Sequence, residues 1–155
     1  EMTGVSFHLQ LRGGSSEGRE FVFAERGWHW GPITRTDGLD LSRSVTSRRY
    51  RYIYNALPSR SYTPVDMASK DAWHAIRAAH AANRLSRLHE RLFFSNPRPI
   101  VELYDLANDP LELNNLSGNQ DVASIERDLR EQLESWMIRE HDFLPLPTHA
   151  LSHEK

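Results

Sequence analysis

The sequence predicts an α+β domain, in which an antiparallel sheet of about four strands packs against a long C-terminal helix. Four short runs alternate side chains with the period of two that is typical of strands, at residues 21–26, 42–47, 50–55 and 101–106. Residues 119–141 instead repeat apolar side chains with the period of a helix. A second helix is expected between the third and fourth strands. The 155 residues have the size of one domain, which we predict to begin with a lead-in segment at 1–18 and to end in an irregular, frayed tail at 142–155.

The third strand has an aromatic face that predicts where the sheet is covered. Tyr50, Tyr52 and Tyr54 lie on one side of residues 50–55. Such ladders more often pack a sheet against a helix than bind a ligand. The final helix offers a matching apolar stripe. Its members are Val122, Ile125, Leu129, Leu133, Trp136 and Met137.

The fourth strand stops in a polar turn. Asn108, Asp109 and Pro110 follow it, and these residues favour turns because Asp and Asn bond to nearby backbone and Pro lacks an N–H. The second helix is predicted as one continuous segment capped by Ser69. It carries Trp73, Ile76, Leu85, Leu88 and Leu92.

Composition excludes several classes of function. A net charge of −2 gives no reason to expect nucleic acid or an anionic membrane as a partner. Cysteine is absent, which excludes disulfides, cysteine-ligated zinc and thiol nucleophiles, and leaves the compartment undetermined. The sequence shows neither an apolar run near 18 residues nor a signal-peptide pattern. His74, His80 and His89 lack the spacing of a helical metal site, and no metal site is predicted.

Four strings in this order resemble the C-terminal portion of sulfatases. They are FVFAER, LSRSVTSRRYRYIYN, VELYDLANDPLELNNL and ESWMIREHD, and the similarity covers nearly the whole chain. The ending SWMIREHDFLPLP is most similar to the heparan N-sulfatase (sulfamidase) branch. The resemblance implies a subdomain appended to a larger catalytic domain in the same polypeptide. The first residues, which lack an initiating Met, are consistent with a piece of a longer chain.

The same resemblance implies that the catalytic groups lie elsewhere. Sulfatases use a formylglycine made from Cys or Ser, and a calcium ion held mainly by carboxylates. Residues 56–60, ALPSR, reproduce the Pro and Arg spacing of the formylglycine motif, but an alanine occupies the convertible position. Asp37 and Asp40 are isolated, whereas calcium takes six or more oxygen ligands. We therefore expect no cofactor in this chain and no hydrolysis by it alone.

Residues near the end of the first strand are the candidates for substrate binding in an intact sulfatase. The resemblance implies that this region borders the cleft. Arg43 has the forked donors that suit a sulfate or carboxylate, and the aromatic rings offer a flat face to a sugar. The candidates are Glu25, Arg26, Trp28, His29 and Arg43. In the alternative interpretation, Glu25 and Arg43 pair across neighbouring strands and the tryptophans cover the sheet edge.

Three functions remain open from the sequence. The chain is an inactive sulfatase subdomain, a free-standing module that binds sulfated carbohydrate through its arginines and tryptophans, or a structural domain that associates with itself. An exposed apolar surface that a catalytic domain would cover favours the first and would promote self-association in isolation.

Overall fold

The sheet is a meander of four antiparallel strands. The structure is a computed structural model that describes residues 6–15, 18–28, 39–62 and 64–147. The strands pair in the order β1-β2-β3-β4, each with its neighbour in sequence. The predicted α+β class and its four-stranded antiparallel sheet are confirmed. The strands are β1 Val22–Trp28, β2 Leu39–Thr46, β3 Tyr50–Asn55 and β4 Val101–Asp105.

Helices precede, interrupt and follow the sheet. Two of them separate β3 from β4, and the longest follows β4 and packs across β2 and β3. The helices are α1 His8–Leu11, α2 Asp71–Ala81, α3 Arg87–Phe94 and α4 Ala123–Arg139. Short 3₁₀ turns occur at Val65–Met67 and Gln120–Val122.

The core lies between α4 and one face of the sheet. Val45, Tyr52 and Leu103 occupy adjacent register positions on β2, β3 and β4, and all three are almost fully buried. Leu133 and Met137 of α4 belong to the same cluster. The prediction that the tyrosine face packs against the final helix is therefore confirmed. At the β1 side, the Phe23 and Trp136 rings stack with centroids 5.3 Å apart.

The segment before β4 differs from the prediction of one continuous helix. Asn83 has φ of 53°, a left-handed conformation that ends α2, and the Ser86 side chain accepts a hydrogen bond from the His89 N–H at the start of α3. The predicted cap at Ser69 is also wrong, because Lys70 precedes α2 and provides no side-chain cap. Helix propensity in the alanine-rich stretch did not reveal this break.

An aromatic stack holds α2 and α3 together. The Phe94 ring lies against Trp73 with centroids 5.8 Å apart, and against His80 at 3.8 Å. The His80 ring also hydrogen-bonds Glu90 at 2.8 Å. Leu88 and Leu92, two of the apolar residues of the predicted helix, are exposed. The pair of helices is thus held together mainly by aromatic faces.

The turn after β4 satisfies its backbone through side chains. The Asp109 carboxylate accepts hydrogen bonds from the Leu113 and Asn114 N–H groups. Asn115 lies along the outer edge of β4, where its Oδ1 accepts from the Leu103 N–H at 2.9 Å and its Nδ2 donates to the Val101 carbonyl at 3.2 Å. The predicted polar turn is confirmed, and it also covers part of the β4 edge.

An exposed arginine ties the β2–β3 turn to the end of β4. Arg49 Nε and Nη2 donate to the two carboxylate oxygens of Asp105 at 3.0 and 2.7 Å. The Leu106 N–H donates to the Arg49 carbonyl at 2.7 Å. The bond from Arg49 is the largest cause that holds the pKa of Asp105 well below its ordinary value.

Candidate functional site

Arg43 is the centre of the region that the sequence singles out. Its side chain is only 3% exposed on the face of β2 that packs toward α4. Nη1 donates to the carbonyls of Arg26 at 3.0 Å and Ser42 at 2.9 Å. Nε and Nη2 donate to the two oxygens of Asp142. Four of its five N–H donors are therefore used inside the protein.

Asp142 neutralises this buried guanidinium from the segment that follows α4. Its side chain is 5% exposed, and its Oδ1 also accepts from the Leu144 N–H at 3.0 Å. The hydrogen bond from Arg43 lowers the pKa of Asp142 below its ordinary value, and burial opposes this effect. The pair closes the end of the core where β1, β2 and the C-terminal segment meet.

Glu25 faces Arg43 across the β1–β2 pair. The two residues are register partners, and Glu25 Oε2 lies 3.8 Å from Arg43 Nη2. Glu25 is nevertheless 68% exposed, so its carboxylate remains accessible to solvent. The cross-strand pairing expected in the alternative interpretation is present, although Asp142 is the principal partner of Arg43.

An open pocket of about 370 Å³ lies beside these residues. Glu25 and Glu140 bring negative charge to its rim, and Trp136 forms part of its wall. Phe143 is 78% exposed, with the Arg43 guanidinium 5.9 Å from its ring centroid. The pocket thus combines exposed carboxylates with an aromatic surface.

Arg26 lies on the opposite face of the sheet. Because side chains alternate along a strand, Arg26 points away from the face that carries Glu25 and Arg43. Its Nε is 3.5 Å from Asp40 Oδ2, and its guanidinium lies 5.0 Å from the centroid of the Tyr62 ring. Asp40 also receives two hydrogen bonds from Arg98, at 3.3 and 2.6 Å.

The tryptophan candidate lies at the end of β1. Trp28 pairs with Leu39 across the strands and is 57% exposed. Both strands run beyond their predicted bounds at 26 and 42, since Trp28 ends β1 and Leu39 begins β2. His29 and Trp30 lie outside the described residues. The structure therefore brings Glu25 and Arg43 together, and places the Arg26 side chain on the other face, although the Arg26 carbonyl accepts a hydrogen bond from Arg43.

Sequence reasoning missed the residues contributed by the tail. Residues 142–147 contain no helix or strand, but Leu144 is buried and the Asp142 side chain is only 5% exposed, so neither residue is frayed. A buried arginine on a central strand requires a carboxylate partner, and that requirement was the available signal. It does not identify the partner, because Asp142 lies 99 positions from Arg43.

The described residues contain neither a metal-binding cluster nor a membrane-spanning helix. Within 6–15, 18–28, 39–62 and 64–147, there is no group of three or more His, Cys, Asp or Glu residues that could hold a metal ion. The family resemblance implies a calcium ion for a complete sulfatase. The described residues offer no fitting set of ligands for it. In that same part of the chain, no helix has the length and apolar character needed to cross a membrane.

The curated proteins to which this chain is similar are sulfatases. No family model matches the chain. Two ulvan-active sulfatases from Formosa agariphila are similar to it, one at 28% identity over 93% of this chain and the other at 29% over 72%. These matches cover only 26% and 19% of the relatives. The chain therefore spans about a quarter or less of the curated relatives it matches.

Solved structures share the fold over nearly the whole chain. A 2-O GAG sulfatase aligns over 95% of this chain with a TM-score of 0.54 and 18% identity, and 23% of that structure is covered. A protein of Bacteroides thetaiotaomicron assigned to the sulfatases aligns over 96% with a TM-score of 0.55, at the same identity and coverage. The relatives are sulfatases and the solved structures share the fold, which confirms the resemblance to the C-terminal portion of sulfatases seen in the sequence.

Proposed function

We propose that this subdomain is catalytically inactive by itself and supports the catalytic domain of a sulfatase in the same polypeptide. The observation that carries the proposal is the unequal coverage: 93% of this chain matches 26% of a curated relative. The remaining length of such a relative has room for a catalytic domain. The formylglycine and calcium of a complete sulfatase would then belong to that domain.

Exposed apolar side chains support a docked position. Phe7, Leu9 and Leu11 of the α1 region are 65%, 59% and 75% exposed, and no residue of α1 is buried. Val22 and Ala24 are also exposed on the sheet face opposite α4. Side chains of this kind are normally covered, and a catalytic domain in cis would cover them.

The proposed second role is to shape the substrate pocket. Glu25 and Trp28 have the exposed side chains needed to contact a sugar, whereas Arg26 and Arg43 are engaged within the protein. We assign Glu25 and Trp28 to direct contact and Arg26 and Arg43 to holding the strand ends in place. His29 follows Trp28 in the sequence, and its contact with the substrate stays a prediction.

The proposed substrate is a sulfated carbohydrate. Both curated relatives are described as ulvan-active, which supports this class. The reaction would be hydrolysis of a sulfate ester or, as the similarity of the ending to the sulfamidase branch suggests, of an N-sulfate. In this proposal the intact enzyme carries out this hydrolysis, and the isolated subdomain does not.

An activity assay on the isolated chain tests the first part. We expect no turnover of a chromogenic aryl sulfate above the rate without protein, with or without added calcium. Protein-dependent turnover that survives repurification would contradict the proposal. A formylglycine motif in the same reading frame upstream of Glu1 would support it independently, and a stop codon directly upstream would oppose it.

A further inference from the structure

The outer edge of β1 is open to pairing with another strand. In the part of the chain that the structure describes, β1 pairs with β2 and with no other strand. It runs for seven residues, contains no proline, and exposes most of its side chains. The irregularity in the β1–β2 pairing places its extra residue on β2, so β1 itself is regular. A regular edge strand presents unpaired N–H and carbonyl groups to any strand that can lie beside it.

The two ends of β1 carry large apolar side chains that are exposed on the same face. Val22 and Trp28 are each 57% exposed. Phe23 stacks on Trp136 of α4, so the alternation along the strand directs both Val22 and Trp28 away from α4. Contact with another apolar group would remove these two side chains from water.

Symmetry restricts how a second copy of the chain can pair with this edge. When two β1 strands pair antiparallel in one continuous sheet, the two-fold axis is perpendicular to the sheet, and each side chain meets one from the same face. One residue therefore lies on the axis, opposite itself. With Glu25 on the axis, all seven residues of β1 are paired. With Ala24 there instead, only residues 22–26 of β1 are paired.

The register centred on Glu25 matches the side chains of β1 with one another. Val22 of each copy meets Trp28 of the other, so the exposed apolar groups cover each other. On the opposite face Phe23 meets Gly27. A Cβ added to Gly27 would find no atom within 4 Å, so an aromatic ring has room beside it.

We propose that two copies of this chain pair through β1 in antiparallel register, with Glu25 on the two-fold axis. The pairing joins the two four-stranded sheets into one. The Glu25 carboxylates then face each other, and Arg43 Nη2, 3.8 Å from Glu25 Oε2 within each copy, offsets part of their repulsion. The inference goes beyond the proposed function, because it requires neither a catalytic domain nor a substrate. A sugar held by Glu25 and Trp28 would compete with the second copy.

Disulfide trapping tests the register, because the chain contains no cysteine. Residues opposite each other in an antiparallel pair have Cα atoms about 4.5–5.5 Å apart, a separation that a disulfide can span. In Glu25→Cys each thiol faces its copy, so mild oxidation should give a covalent dimer on a non-reducing gel. Glu25 is 68% exposed, and its substitution should leave the fold intact.

The matched control for trapping is Leu111→Cys. Leu111 is 75% exposed in the turn after β4, and a thiol there measures cross-linking by random collision. Cross-linking of Glu25→Cys should be at least tenfold faster than that of Leu111→Cys. Equal rates would overturn the proposal, and so would faster cross-linking of Ala24→Cys or Arg26→Cys than of Glu25→Cys.

Sedimentation equilibrium measures the pairing without a cross-link. Val22→Ser removes an apolar contact twice in each dimer and should raise the dissociation constant about tenfold. Glu25→Gln removes the opposed charges and should lower it several-fold. An unchanged dissociation constant in both variants would overturn the proposal, whatever the aryl sulfate assay shows. Adding Leu9→Ser/Leu11→Ser to Glu25→Cys should leave the cross-linking rate unchanged, and loss of cross-linking would assign the contact to α1 instead.

Discussion

At the scale of single residues, Arg43 shows how a candidate ligand-binding side chain can serve the fold. Its charge is buried between β1 and β2, where it would be costly without acceptors. Two backbone carbonyls and Asp142 supply those acceptors. The same bonds place Asp142 and Phe143 beside the exposed carboxylate of Glu25. Arg43 thus organises the pocket from within.

Removal of Asp142 should destabilise the protein strongly. In Asp142→Ala the Arg43 guanidinium remains buried without its counter-ion, a change that typically costs about 3–5 kcal/mol. Urea unfolding followed by tryptophan fluorescence measures the loss. Glu25→Gln is the matched control, since Glu25 is 68% exposed and the expected change is below about 0.5 kcal/mol. Equal effects of the two variants would show that Asp142 is not the counter-ion that matters.

The lowered pKa values of Asp105 and Asp142 predict a loss of stability in acid. Each carboxylate has a lower pKa in the folded chain than in the unfolded chain, so its contribution is complete above the unfolded value of about 4. That contribution is lost as the pH falls toward the folded value. The free energy of unfolding should therefore decrease between about pH 5 and pH 2.

The Asp105→Asn/Asp142→Asn double variant isolates these two groups. It should be less stable than the native chain at pH 7, with a shallower dependence on pH below about 5. Urea midpoints at several pH values provide the measurement. A slope as steep as that of the native chain would assign the acid dependence to other carboxylates.

At the scale of elements, the helix α4 carries most of what the sequence made predictable. Its apolar stripe has the strict period of a helix, and the stripe contains the buried residues Leu129, Leu133 and Met137. The tyrosine strand was predictable for a similar reason, because alternation specifies one buried face. The α2–α3 break was not, since Asn83 adopts its left-handed conformation within a stretch of good helix formers.

Truncation of the α4 stripe should have a large effect on stability. Leu133 is fully buried against the sheet, so Leu133→Ala should cost about 2–5 kcal/mol through lost burial and a new cavity. Ile138→Ala on the same helix is the control, because Ile138 is 62% exposed. Thermal or urea unfolding distinguishes the two. A small effect of Leu133→Ala would mean that α4 contributes little to the core.

Only part of the candidate site was predictable, because some of its residues lie far apart in the sequence. Glu25 and Arg43 lie on neighbouring strands, and strand pairing brings them together. Asp142 and Phe143 reach the same place from a segment with no periodic pattern. Among the described residues the buried Nε of Arg98 has no acceptor, which is likewise a product of tertiary packing that no pattern of residue types signals.

At the scale of the whole molecule, apolar side chains at one end should cause the isolated chain to associate. Phe7, Leu9 and Leu11 are exposed and lie outside the core cluster. Light scattering after size exclusion should show a mass that rises with concentration, and Leu9→Ser/Leu11→Ser should lower it. Leu111→Ser is the control, because Leu111, in the turn after β4, is as exposed as Leu11, at 75%. A monomer at all concentrations would contradict this prediction.

The Asn115 side chain on the outer edge of β4 limits how the four-stranded sheet can pair with a further strand. It occupies the Leu103 N–H and the Val101 carbonyl, and the Leu116 N–H occupies the Leu103 carbonyl, so another strand cannot pair there. β1 forms the other edge, and no strand of the described residues covers its outer side. A sheet with one available edge can join only one further sheet. Edge pairing between copies would therefore terminate at a two-fold dimer and would not propagate into a fibre.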